Sequence, residues 1–175
     1  MTKRVMVDIE TLGTDPGAAI VSVGAVRFGK SRDRETYFES VDPKSATNAG
    51  LEIDAETLEW WLERDGPAQA QLIGGRELET VLREFNDFVT WADTLWANSP
   101  SFDLAILKAA MRAVGMEPNW AFYQERDFRT LKNLPGRPMI EQENKHHALA
   151  DAEYQATVAE EMLERFAVEM QGVGE

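Results

Sequence analysis

Apolar and polar positions change rhythm twice along the chain. Near the N-terminus Val5, Val7 and Ile9 alternate with Met6, Asp8 and Glu10, and the run stops after Thr11 and Leu12 at Gly13, Asp15, Pro16 and Gly17. Alternation with a period of two, closed by turn formers, predicts a β-strand. Ile20 to Phe28 is rich in Val and Ile, Gly29 to Arg34 reads as a polar turn, and Glu35 to Val41 resumes with Tyr37 and Phe38. Three strands joined by short links predict an antiparallel meander.

From residue 54 the spacing becomes helical. Leu58, Trp61 and Leu62, then Leu78, Leu82, Phe85 and Val89, predict two amphipathic helices separated by Gly66-Pro67 and Gly74-Gly75. Thr94 to Ala97 is short enough for a buried strand, and Leu104 to Val114 reads as a helix closed by Gly115. Residues 116–145 carry Pro118, Pro135, Gly136 and Pro138 and predict irregular chain, with a short strand or helix near Phe128 to Leu131. A final helix runs from about Ala148 to Met170, with Leu149, Ala156, Leu163, Phe166 and Met170 as its buried stripe. Strands first, then alternating helix and strand, imply an α/β domain with a mixed central sheet flanked by helices. No repeat or linker divides the chain, so residues 1–175 are expected to form one domain.

Composition narrows the setting. With 43 % hydrophobic residues the chain fits a soluble fold, and its lack of cysteine excludes disulfides, thiolate metal sites and thiol nucleophiles. No apolar run approaches the roughly 18 residues that span a bilayer, and no secretory signal pattern opens the chain, so no membrane association and a cytoplasmic location are expected. The net charge of −13 speaks against a general polyanion binder unless something else supplies positive charge.

Asp8 and Glu10 are the chemical anomaly. On a strand, residues i and i+2 share a face, so two carboxylates project side by side from an apolar segment. A divalent cation would offset their repulsion, and hard oxygen donors suit Mg²⁺ or Mn²⁺, whereas absent cysteine and scarce histidine disfavour zinc. Taken alone, the pair is more simply read as a solvated acidic face on an edge strand. Asp103, in W-A-N-S-P-S-F-D, and Asp151, in H-H-A-L-A-D-A, each stand near a predicted helix start, where helix capping is the plain alternative. The only histidines, His146 and His147, precede the last helix. Five residues apart on a helix, His146 and Asp151 would diverge by about 140°, so His146 must sit on the preceding loop to approach the carboxylates. An imidazole titrating near 6.5 suits a general base, while exposure or capping is the simple reading, preferred for His147.

The order V-D-I-E-T-L-G, S-F-D-L-A-I-L, H-H-A-L-A-D-A resembles the DEDD superfamily of 3'-5' exonucleases, in its histidine-containing DEDDh subgroup, and most nearly the small bacterial and phage-type branch. The resemblance covers roughly residues 4–166 and implies a ribonuclease H-like fold. It implies a two-metal phosphodiesterase that releases nucleoside 5'-monophosphates from the 3' end of RNA, slightly preferred, or DNA. Asp8 would bridge two Mg²⁺ or Mn²⁺ ions about 4 Å apart, Glu10 and Asp151 would complete one site, Asp103 would hold the second ion, and His146 would take the proton from water. Thr11 and Leu12 would meet the terminal nucleotide, Leu12 as a wedge, or else simply end the strand. Phe102 and Trp60 are candidates to stack on bases, Trp60 the better one, whereas Trp61 falls in the core register and a core place is the alternative for Phe102. Arg129 lies in a locally basic stretch, residues 126–147, and would contact phosphate unless it pairs with Asp127. Small members of the group are often homodimers. One departure concerns the second motif, where many relatives carry asparagine at the position of Ser99 and here Asn98 is one residue earlier. A silent nucleic-acid-binding or dimerisation module and a ribonuclease H-type endonuclease are the alternatives; the clustered acids argue against the first and the H-x4-D spacing against the second.

Overall fold

The computed structural model describes residues 2–29, 34–64, 66–142 and 144–172, with the side chains of the final helix described as far as Ala167. Strands β1 (Arg4–Thr11), β2 (Ile20–Phe28) and β3 (Thr36–Ser40) form the expected antiparallel meander. Residues 30–33 of the expected polar turn lie outside the described residues. There follow helices α1 (Pro43–Asn48), α2 (Ala55–Leu62), α3 (Gly66–Ala70) and α4 (Leu78–Val89), then β4 (Thr94–Ala97) and α5 (Asp103–Ala113). A short 3-10 turn leads to β5 (Glu125–Asp127), α6 (Phe128–Lys132) and the long α7 (Ala148–Gly172). The five strands lie in the order β3-β2-β1-β4-β5, with β4 parallel to β1 and β5 parallel to β4. Among the described residues no helix is long and apolar enough to cross a membrane.

The alternation in β1 divides the molecule into two cores. Val5, Val7 and Ile9 point to one face, with Leu82, Phe85 and Leu107, while Met6 points to the other, with Phe128, Ala152 and Met162. Asp8 and Glu10 share the face of Met6 by the period of two, and α7 crosses that face.

Two features of small residues let α7 come close. Its buried stripe is Ala148, Ala152, Ala156 and Ala159, with Val158 and Met162, and not the Leu149, Leu163 and Phe166 that the periodicity suggests, which are only partly covered. Ala156 belongs to both sets, and the side chain of Met170 lies outside the described residues. The second feature is Gly24, the β2 partner of Asp8. A Cβ there would stand 2.3 Å from the carbonyl carbon of Ala148 and 2.4 Å from its oxygen, so the start of α7 rests directly on the glycine. Helix α7 thus crosses β1 where its acids project.

Gly24→Ala is expected to cost about 1–3 kcal/mol, since backbone rather than a pliable side chain must yield. Urea denaturation measures this, and an unchanged midpoint would contradict the close approach.

Candidate active site

Asp8 and Glu10 leave β1 just before its pairing with β2 shifts register between Glu10 and Thr11. Asp151 descends from the first turn of α7, and an oxygen from each of the three carboxylates lies within 4.8 Å of the others. Asp103 opens α5, at the C-terminal end of β4, and is 3 % exposed. Its Oδ1 accepts from the Ile9 N–H at 3.3 Å, which fixes it between the two β1 acids along the strand, and its Oδ2 is buried with no hydrogen-bond partner among the described residues. The structure therefore gathers all four acids, three in one compact group and Asp103 tethered beside them.

Burial is the leading electrostatic effect on each. It pushes Asp8 well above the usual carboxylate range, with Asp103, Glu10 and Asp151 adding repulsion and the Gln155 hydrogen bond opposing it. Glu10 is pushed up to about 8, first by burial and then by Asp151 and Asp103. Burial lifts Asp103 to about 7 against the pull of backbone N–H groups, Ile9 first, and the Arg129 charge. Asp151 is also raised by burial, against the His146 N–H. Four acids held in surroundings that disfavour their charge, with one buried oxygen unpaired, fit a hard divalent cation, which prefers carboxylate oxygen.

His146 does lie on the loop before α7. Asn144 and His146 adopt positive φ of 50° and 64°. The His146 N–H donates to Asp151 Oδ2 at 3.0 Å and its carbonyl accepts from Gln71 Nε2 at 2.6 Å. Its ring meets Trp60 edge to face, with centroids 4.9 Å apart. Main chain, rather than imidazole, is what joins His146 to the acids in this conformation. Trp60 carries the Arg64 guanidinium over its ring at 4.4 Å, so the surface role expected of it is that of a wall for His146. His147 stacks on Phe38 at 4.5 Å, and its Nδ1 accepts from the Ala150 N–H at 3.4 Å, which matches the capping reading. An open cleft of 660 Å³ runs beside both histidines, bordered by Arg64, Gln71, Lys145 and Glu153.

The remaining candidates occupy varied positions. Leu12 is 3 % exposed and lies in the core, and Thr11, 7 % exposed, donates from Oγ1 to the Gly13 carbonyl at 2.7 Å. Trp61, buried as its register predicts, donates to the Thr11 carbonyl at 2.9 Å, so this strand end is braced from beneath. Phe102 is partly covered and packs on the core. Arg129 is exposed and donates to the Asn98 carbonyl at 3.0 Å, while Asp127 caps α6 through the Arg129 N–H at 2.9 Å. Two glutamines escaped the sequence reading: Gln142 donates to Asp151 Oδ1, and Gln155 donates to Asp8 Oδ1 at 2.6 Å. For Gln155 the available signal was its position four residues after Asp151, on the same helix face.

A family model described as the 3'-5' exoribonuclease Rv2179c-like domain matches residues 3–163. Among solved structures, the zinc-bound complex of E. coli ExoI with single-stranded DNA superposes with a TM-score of 0.66 at 15 % identity, covering 91 % of this chain and 40 % of that one. The nuclease domain of 3'hExo, a DEDDh family member bound to rAMP, gives a TM-score of 0.65 at 14 % identity, covering 94 % of this chain and 92 % of that one. At these identities the likeness establishes the fold, and the present chain spans about two fifths of ExoI. No curated protein matches the chain by sequence.

The raised acids carry a sign. An acid whose pKa is higher in the folded state holds more protons there, so its contribution falls as pH rises from its unfolded value, about 4, toward the folded one. The melting temperature of the metal-free protein is therefore expected to fall from pH 5 to pH 8, the range that reaches Glu10 at about 8. Asp8→Asn should raise that temperature and flatten the slope. Thermal unfolding in a chelator checks this, and parallel pH profiles for both proteins would contradict the coupling.

Proposed function

The chain belongs to the Rv2179c-like 3'-5' exoribonuclease domain family, and from that membership we propose that it hydrolyses the terminal phosphodiester of an RNA 3' end to release a nucleoside 5'-monophosphate. The observation that carries the reading is the gathering of Asp8, Glu10 and Asp151 within 4.8 Å, with Asp103 tethered to the same strand. Asp8, Glu10 and Asp151 would hold one ion, and Asp8 with Asp103 a second. When bound, a pair of Mg²⁺ or Mn²⁺ ions supplies Lewis acidity at the scissile phosphate and offsets the repulsion among these side chains.

The chain's own groups do the rest. His146 accepts the proton of the attacking water; the new bond joins water oxygen to phosphorus, the bond to the 3'-oxygen breaks, and that oxygen takes a proton from solvent to become the new 3'-hydroxyl end. For that step the ring must swing away from Trp60 toward Asp151, a rotation about its side-chain bonds with the main chain already held by Asp151 and Gln71. Arg129 contacts the phosphate backbone: it stands beside Asp103, and with Arg137 it forms a basic patch whose repulsion, after burial, lowers the pKa of Lys132. Leu12 is sealed in the core and so does not act as the wedge expected of it; Thr11 and Leu12 would support the end of β1 from beneath, and the partly exposed Phe102, just before α5, would face the terminal nucleotide.

Asp8→Ala and Asp151→Ala are expected to fold and to abolish hydrolysis, and His146→Ala to slow it by about 10²–10⁴, the usual share of a general base. The assay uses 5'-labelled RNA and DNA oligomers with Mg²⁺ or Mn²⁺. A descending ladder on RNA supports the reading; cleavage of a circular substrate, or near wild-type activity in either aspartate variant, would overturn it.

A further inference from the structure

We propose that Gln155 is a positioning residue for the metal centre, holding the Asp8 carboxylate in the orientation that receives a divalent ion. The inference rests on the reading of the four acids as metal ligands and adds a residue that the three motifs do not contain. A carboxylate that holds a metal ion is ionised and only accepts, so the amino end of the Gln155 amide must then face it, and Nε2 lies 2.6 Å from Asp8 Oδ1. Gln155 is 5 % exposed, and its Oε1 is buried without a hydrogen-bond partner among the described residues. A half-paired amide beside an alanine stripe is unfavourable, and an apolar side chain would remove that penalty. The bond to Asp8 is what the amide contributes in return.

Geometry shows why this bond matters. Asp8 sits on the sheet and Asp151 on α7, so the distance between the two ligands depends on how the helix seats on the strand. Gln155 stands one turn after Asp151 and is, among the described residues, the one side chain that donates to Asp8. A single helix thus delivers one ligand and fixes the opposing ligand through Oδ1 of Asp8. Partners that orient metal ligands in this way are typically worth about 10- to 100-fold in metal affinity.

The test measures Mn²⁺ binding by calorimetry for wild type, Gln155→Met and Gln155→Asn. Methionine keeps length and helix preference without a donor, and asparagine keeps the amide but falls one methylene short. Both are expected to bind Mn²⁺ about tenfold or more weakly. The Mn²⁺ concentration for half-maximal hydrolysis should rise by the same factor, while KM for RNA at saturating Mn²⁺ stays unchanged. A dissociation constant within twofold of wild type in whichever variants fold would overturn the role of Gln155. Wild-type protein that binds no Mn²⁺ would overturn the metal reading as well, which separates the two failures.

Discussion

The repulsion between carboxylates at Asp8 and Glu10, placed side by side on a central strand, is the constraint on which the rest of the arrangement depends. Alternation along β1 forces both to the face that α7 covers, and the close seating of α7 brings in a third acid, Asp151. Asp103 adds a fourth from the neighbouring parallel strand's end. A fold selected for stability alone would not assemble such a group, since burial raises the pKa of all four. Gly24 and the alanine stripe of α7 show that the approach is built into the packing: remove either and the helix must stand farther off.

The net charge of −13 fits this picture once its distribution is considered. Seven acids against one base fall in residues 151–175, Asp151 of the site among them, while residues 126–147 carry an excess of bases. Under the proposed function Arg129, bonded to the Asn98 carbonyl, would offer the phosphate backbone a local positive approach, with Lys132 and Arg137 near it in the chain. The acids at the centre become attractive to phosphate only with a cation among them. Under the proposed function such a protein would grip an end through a metal bound at this cluster rather than coat a duplex.

Much of this was legible from sequence because strong signals coincide with burial. Ile20–Phe28 and Thr94–Ala97 are strands over the expected residues, and the three carboxylate motifs fall on strand, helix start and loop-to-helix as read. Helix α6 falls at Phe128–Lys132, where a short strand or helix was expected, whereas α1 and α3 were not legible. Pro43 and Gly66-Pro67 look like breaks, yet proline is tolerated in the first turn, and both α1 and α3 contain one there. Strand β5, Glu125–Asp127, is three charged or polar residues whose strand character comes from pairing with β4. The stripe of α7 was misjudged because alanines carry little hydrophobic signal, although their small size is what seats the helix. Gln155 was missed since a polar residue outside a motif looks like solvent-facing surface. The direction of the His146 ring depends on Trp60, 86 residues earlier in the chain, and no local pattern encodes it.

The central claim is that these acids are gathered to hold divalent metal. Anomalous scattering at the manganese edge from crystals soaked in Mn²⁺ tests it most directly. The account predicts density in contact with oxygens of Asp8, Glu10 and Asp151, lost in crystals of Asp8→Asn. Manganese bound only at exposed acids elsewhere, with this cluster unchanged, would contradict it.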